Sequence, residues 1–480
     1  MRNKNGTYRR ACVIAISAIW LNAAGWAAEG KAQTAKYVDY VAELNKLGMA
    51  GRSENLNAAP FYQKAIELYI EETEEQRKLV SKKGWPAEFP AGEQQLLREW
   101  VQSNSQALSQ LELGSKKPYC WLQLSSPDGP VYAILISLSK CRNLGRAITV
   151  RARFSAAEGN IDKALTDVVT CYCCGMHLMG PNKMSIEQLV GIGIRGLAVQ
   201  TAFDILDRTK PNKDLLAALQ RQMEWLSTNE SYILDFRAEK LTLLDIIQRI
   251  FTDDGKGDGQ IDLPAANAIL PTAFEMVMPE GAGGVRGGTF ESLVRGLRRR
   301  QTTETEEKLS KYLDLASRKT PWQWKAENVE QEIQKIAKEN ALVEMFCPLG
   351  PRIAGVFARC RADTDGLITT LALLRYKADK GQFPEKLDEL VSAGYLKIVR
   401  SDPFSGKPFG GNPFAYKRVG EDFVLYSFGT NLKDDGGKLG LTAKGQPTRW
   451  ADDGDAVFWP VLRQLGITAA ITATHRAVGG

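Results

Sequence analysis

Residues 151–179 read RARFSAAEGNIDKALTDVVTCYCCGMHLM, and their pattern decides the fold class. Gly159-Asn160 breaks the run in two. In the second half Ile161, Ala164, Leu165, Val168, Tyr172 and Met176 form one apolar stripe at helical spacing. The reading is two helices joined by a glycine turn. Outward from this point the same period recurs. Ala59-Pro60 opens a run with apolar Phe61, Ala65, Ile66, Leu68 and Tyr69, followed by acids. Further helices are predicted over 186–207, 213–227, 234–251, 303–315 and 326–344. The first two-thirds of the chain is therefore predicted to be a mainly α, irregular antiparallel helical array.

Composition bounds the class. The chain has 480 residues, 44% apolar and 25% charged. Those values exclude disordered, collagenous and polytopic membrane proteins. Net charge is +6, but Arg2, Lys4, Arg9 and Arg10 lie in an acid-free stretch before Glu29, so the rest is close to neutral. A neutral body predicts no nucleic-acid partner. The basic start, the apolar run ACVIAISAIWL at 11–21 and the small residues Gly25 and Ala27 make a Sec-type signal peptide over 1–27. Mature protein is expected to begin near Ala28 and to be periplasmic or secreted. No integral membrane span is expected after cleavage.

Seven cysteines remain beyond the signal: Cys120, Cys141, Cys171, Cys173, Cys174, Cys347 and Cys360. On a helix, Cys173, Cys174 and His177 fall opposite the apolar stripe, with Cys171 at its edge. Adjacent cysteines on one helix rarely give a tetrahedral site, so these are expected to line a helix buried on two sides. Three other motifs are expected to be decoys. Gly191, Gly193 and Gly196 spell G-x-G-x-x-G, but in helical sequence, which predicts close helix packing. Ser137 to Lys140 spells S-x-x-K without its partner motifs. Asp254 to Asp262 approaches a calcium loop, but Lys256 and Ala265 stand where carboxylates are needed. Arg295, Arg298, Arg299 and Arg300 precede Glu304, Glu306 and Glu307, which reads as a solvated helix surface compensating its own charge.

Three resemblances follow. The hairpin at 151–179 resembles one tetratricopeptide unit, with no steady repeat around it. The C-terminal region, about 363–460, carries Ala372-Leu373…Tyr376…Asp379…Gly381…Phe383-Pro384, then Leu387…Leu390…Gly394-Tyr395-Leu396. Asp402-Pro403-Phe404…Gly406, Tyr426-Ser427…Gly429…Asn431 and Asp455 to Trp459 complete the order. This order resembles the globular part of the major pseudopilin of type II secretion systems. The resemblance implies a small α+β domain whose strands lie at 414–419 and 422–427, after a second helix over 385–396. It further implies a structural calcium ion pinning the loop after the second strand, held by Asp434, Asp435 and Asp455. Unlike a pseudopilin, the chain starts with an ordinary export signal. As a whole it resembles large exported helical proteins of planctomycete-type bacteria.

The expected organisation is a signal at 1–27, a helical array over 35–250 and Gly-rich and basic segments over 251–300. Helices then continue over 301–362, followed by the pseudopilin-like domain at 363–460 and a tail at 461–480. The expected role is binding or scaffolding of another envelope or secreted protein, because stacked hairpins leave a concave face. An exported hydrolase using carboxylates, or a secretion or filament component, are the alternatives. No catalytic residue is identifiable from the sequence.

Overall fold

The computed structural model describes residues 37–461 apart from 83, 131–137, 181, 229–233, 278–291, 348–352, 407–410 and 443–444. The predicted signal, the Gly-rich stretch 280–288, Ser137 and the tail from 462 lie outside the described residues. The chain is mainly helical. Helices α1 (Tyr40–Met49), α2 (Ala59–Leu68), α3 (Glu74–Ser81), α4 (Ala91–Ser103) and α5 (Ser105–Ser115) lead to a central trio. The trio comprises α6 (Leu138–Ala157), α7 (Ile161–Met176) and α8 (Ser185–Thr209). Next come α9 (Lys213–Thr228), α10 (Arg237–Ile250), α11 (Leu263–Val277), α12 (Arg299–Ala316), α13 (Pro321–Ala326), α14 (Val329–Ala337) and α15 (Ala341–Phe346). The 28-residue α16 (Ile353–Lys380) and short α17 (Asp388–Ser392) precede a three-stranded antiparallel sheet. Its strands β1 (Ala415–Val419), β2 (Asp422–Ser427) and β3 (Ala456–Trp459) lie side by side in chain order.

Gly159 makes the turn between α6 and α7 with φ +86°, a conformation that costs glycine nothing, and the Asn160 side chain caps α7. Arg151 on α6 grips buried Asp167 on α7 through two bonds of 2.8 and 2.7 Å, which fixes the hairpin angle. Helices α7 and α8 then approach so closely that a Cβ at Gly191 would lie 2.5 Å from the Gly175 carbonyl oxygen. The G-x-G-x-x-G run is thus interior to one helix. By length and composition α8 could cross a membrane, but 67% of its apolar window is buried inside this fold. It is the central core helix.

Among the described residues the apolar core falls into two large clusters and a small third one around Leu44, Leu124 and Ala238. One joins Leu108, Ile148, Phe203 and Met223 of the N-terminal helices to Leu371, Leu390, Phe423 and Phe458 of the C-terminal region. The other joins Leu243, Ile246, Leu270, Leu309, Leu313, Ile333 and Val343. The boundary expected at 363 falls inside α16, and the sheet contributes to the first core. Phe458 stacks on Phe203 at 6.4 Å.

Some predicted elements break. The helix expected over 326–344 is divided among α13, α14 and α15. Asn328 adopts a left-handed φ of 50°, and the Asn340 side chain accepts from Leu342 N and Val343 N, starting a new helix. The run opening at Ala59 stops at Leu68, and a Thr73–Gln76 capping box starts α3. The helix expected over 385–396 shrinks to α17, closed by Gly394 at φ +79°.

Candidate functional site

The acids expected to hold calcium lie where β3 meets the loop after β2. Asp455 is fully buried, and its carboxylate accepts from Asp435 N at 3.2 Å and Gly437 N at 2.6 Å. Burial pushes its carboxyl up to about 6, the two amides oppose the rise, and the charges of Asp434 and Asp435 add to it. Asp434 accepts from the Tyr426 hydroxyl at 2.9 Å and Gly436 N at 3.0 Å, and Asp435 accepts from Asn431 Nδ2 at 2.7 Å. The three carboxylates share one neighbourhood without closing a shell. Among the described residues no three His, Cys, Asp or Glu side chains are grouped so as to hold a metal ion. As placed, the loop is pinned by Asp455 through backbone amides. The neighbouring Asp402 turn works similarly: its buried carboxylate accepts from Phe404 N at 3.0 Å, Ser427 Oγ at 2.7 Å and Phe428 N at 2.9 Å, tying the D-P-F-S-G turn to β2.

The loop at 253–262 is held by arginines. Arg298 pairs with Asp258 at 2.7 Å, Arg299 with Asp253 at 2.6 Å, and Arg300 donates to the Lys256 carbonyl at 2.9 Å. The Arg298 guanidinium, with amides from Gly259 and Arg300, brings Asp258 down to about 2. This corrects the charge-run expectation. Arg298 and Arg299 pair with acids 40 and 46 residues earlier in the chain rather than with the glutamates that follow them.

Cys171, Cys173, Cys174 and His177 are all buried. Cys171 Sγ faces the Ile194 carbonyl at 3.5 Å, while His177 Nδ1 meets the Tyr62 hydroxyl at 2.6 Å. Burial brings the imidazole down to about 4, so it is neutral, and pushes the thiols up, Cys120 to about 11 and Cys141 to about 12. No disulfide joins any of the seven described cysteines.

A pair the sequence reading passed over stands between α10 and α12. Glu239 and Glu306 line one pocket with Met184, Phe236, Leu243 and Leu313. Glu239 accepts a short bond from Ser185 N, and its Oε2 is sealed from solvent with no partner. Glu306 is 4% exposed and accepts from Ser310 Oγ at 2.5 Å. Burial pushes each carboxyl up to about 7. The Lys240 charge opposes the rise at Glu306, while Glu239 and Glu307 add to it. The enclosed space is about 30 Å³, room for roughly one water. The signal was present: Glu306 precedes Leu309 and Leu313 by three and seven positions, and Glu239 precedes Thr242 and Ile246 likewise. Each sits on its helix's apolar stripe.

A groove beside α1 is different. Residues 119–124 form an irregular segment held by two asparagines. Asn57 gives Nδ2 to the Trp121 carbonyl at 2.7 Å and takes Trp121 N at 2.9 Å; Asn45 does the same to Leu124 at 2.8 and 2.9 Å. Beside this segment lies an open groove of about 360 Å³ lined by Lys46, Met49, Arg52, Tyr119 and Trp121. Compared with protein-family models, with curated proteins and with solved structures, the chain matches none.

Proposed function

We propose that this is an exported scaffold that binds an extended segment of another envelope or secreted protein. The observation that supports it is the open α1 groove beside the asparagine-held segment 119–124. The two asparagine amides hold this chain's own segment in place, and Lys46, Met49, Arg52, Tyr119 and Trp121 line the groove a partner segment would enter. The tetratricopeptide-like hairpin of α6 and α7 accords with the same role. The hydrolase alternative would draw on Glu239 and Glu306, yet their enclosed space has no room for a substrate. The experiment is a pull-down from envelope fractions with the mature chain, beginning near Ala28 after loss of the signal. A partner recovered by wild type and lost with Arg52→Glu and Met49→Glu supports the reading. Recovery as a monomer with no partner defeats it.

Calcium belongs to this proposal as the counter-charge of Asp434, Asp435 and Asp455 in a pseudopilin-like C-terminal module. What supports it is the mutual repulsion that helps raise Asp455. Binding to the folded state alone raises the thermal midpoint. Full-length protein should therefore melt higher in calcium than in chelator. The shift should vanish in an Asp434→Ala, Asp455→Ala double variant, and an equal shift there rejects the ion.

A further inference from the structure

Helices α10 and α12 meet across two carboxyl groups that the surrounding wall does not neutralise. One oxygen of Glu239 accepts from Ser185 N, and the other, Oε2, is sealed from solvent without a hydrogen-bond partner. Glu306 accepts from Ser310 Oγ. Among the described residues neither carboxyl is in an ion pair: Lys240 lines the same pocket without pairing to either, and Lys183 pairs with Glu187 at 3.7 Å. The rest of the wall is hydrocarbon from Phe236, Leu243, Leu309, Leu313 and Phe346. An ionised carboxylate there loses its hydration and gains no counter-charge, whereas a protonated one costs far less to bury.

We infer that Glu239 and Glu306 form a proton-dependent clasp, which holds α10 against α12 while both carboxyls keep their protons and parts locally when the protons leave. A proton on the sealed Oε2 reaches water only through such a parting. The parting is local because Leu243, Leu309, Leu313 and Phe346 belong to one apolar cluster, whereas α6 and α7 belong to another. The charged groups facing the pair are Glu187 on α8 with Lys183 just before it, Lys240 on α10 and Glu307 on α12. Helix α15 contributes Phe346, and α1, α11 and α14 give the pocket no residue. Burial pushes each carboxyl up to about 7; Glu187 adds to the rise at Glu239, as Glu307 does at Glu306, where Lys240 opposes it. Once opened, both titrate near the ordinary 4.5. The closed contact is therefore firmest below that value and weakens as pH rises through about 7.

Hydrogen exchange of the full chain, read by mass spectrometry from pH 5 to pH 7 and corrected for the intrinsic rate, tests this. The opened fraction seen by amides of α10 and α12 should rise by roughly tenfold per pH unit for each proton released. That exchange should be nearly insensitive to low urea, because a local parting exposes little surface. Amides of α6 and α7 should exchange later, with the steeper urea dependence of global unfolding. Glu306→Gln should remove one proton's share of the pH slope, and Glu239→Gln with Glu306→Gln should remove all of it. The single variant carries the test by itself where the double one does not fold. Exchange in α10 and α12 that ignores pH, or that keeps its full slope in Glu306→Gln, overturns the inference. So does exchange there that follows the urea dependence of α6 and α7, since the helices then part only when the whole molecule unfolds.

Discussion

Glu306 looks, in the sequence, like one more acid in a solvated run of three. Folding places it against Leu309 and Leu313, and its proton affinity rises accordingly. The folded state therefore binds protons more tightly than the unfolded chain, whose glutamates titrate near the ordinary 4.5. Stability is then greatest below the unfolded value and is lost as pH climbs through about 7. Glu306→Gln removes this loss. Urea unfolding should show the variant on the order of 2–3 kcal/mol more stable than wild type at pH 8.5, with the gain shrinking towards pH 5. A gain independent of pH would contradict the burial of the carboxyl. At this scale the sequence was readable in part. Small thiols on a doubly buried helix follow from residue size, and the structure buries them. The Glu239–Glu306 pair escaped because charge was read along the chain, while the decisive neighbours lie three and seven positions away on one helix face.

Helix α8 and the glycines within it illustrate the element scale. Periodicity located this helix within two residues of its observed ends, because fifteen or more apolar-patterned residues leave little ambiguity. The G-x-G-x-x-G spelling is resolved by space. A methyl at Gly191 meets the Gly175 carbonyl, whereas a methyl at Gly193 meets nothing within 4 Å. Gly191→Ala should cost about 1–3 kcal/mol through overpacking, and Gly193→Ala should gain roughly 0.5–1 kcal/mol from helix propensity. Equal effects in chemical denaturation would count against the close approach of α7 and α8. Boundaries failed where one polar side chain redirected the backbone. Asn340 offers the amides of a new helix a better partner than continuation does, and no periodicity reports that choice. The arginines at the start of α12 failed for another reason: their partners, Asp253 and Asp258, are remote in sequence, and charge pairing across a loop leaves no local pattern.

Across the whole molecule, the sheet is part of the main core. Phe458 is fully buried, stacks on Phe203 from α8 and meets Phe414 edge-on at 5.2 Å. Phe458→Ala should cost about 3–5 kcal/mol. Because the cavity opens between the N-terminal helices and the strands, it should lower one shared calorimetric transition and leave no separate C-terminal one. Two independent transitions would show that residues 363–460 melt alone. The sequence order of motifs suggested a tail domain because motifs are contiguous, while core sharing is a property of surfaces that only folding reveals. This arrangement also sets a timetable for biosynthesis. The chain leaves the ribosome with Phe203 first and Phe458 about 250 residues later, on the order of 10–50 s at ~5–20 residues per second. Throughout that interval Phe203 and its neighbours on α8 lack the strand that covers them in the folded protein. The strand that completes this core is made about 250 residues after the helix it covers.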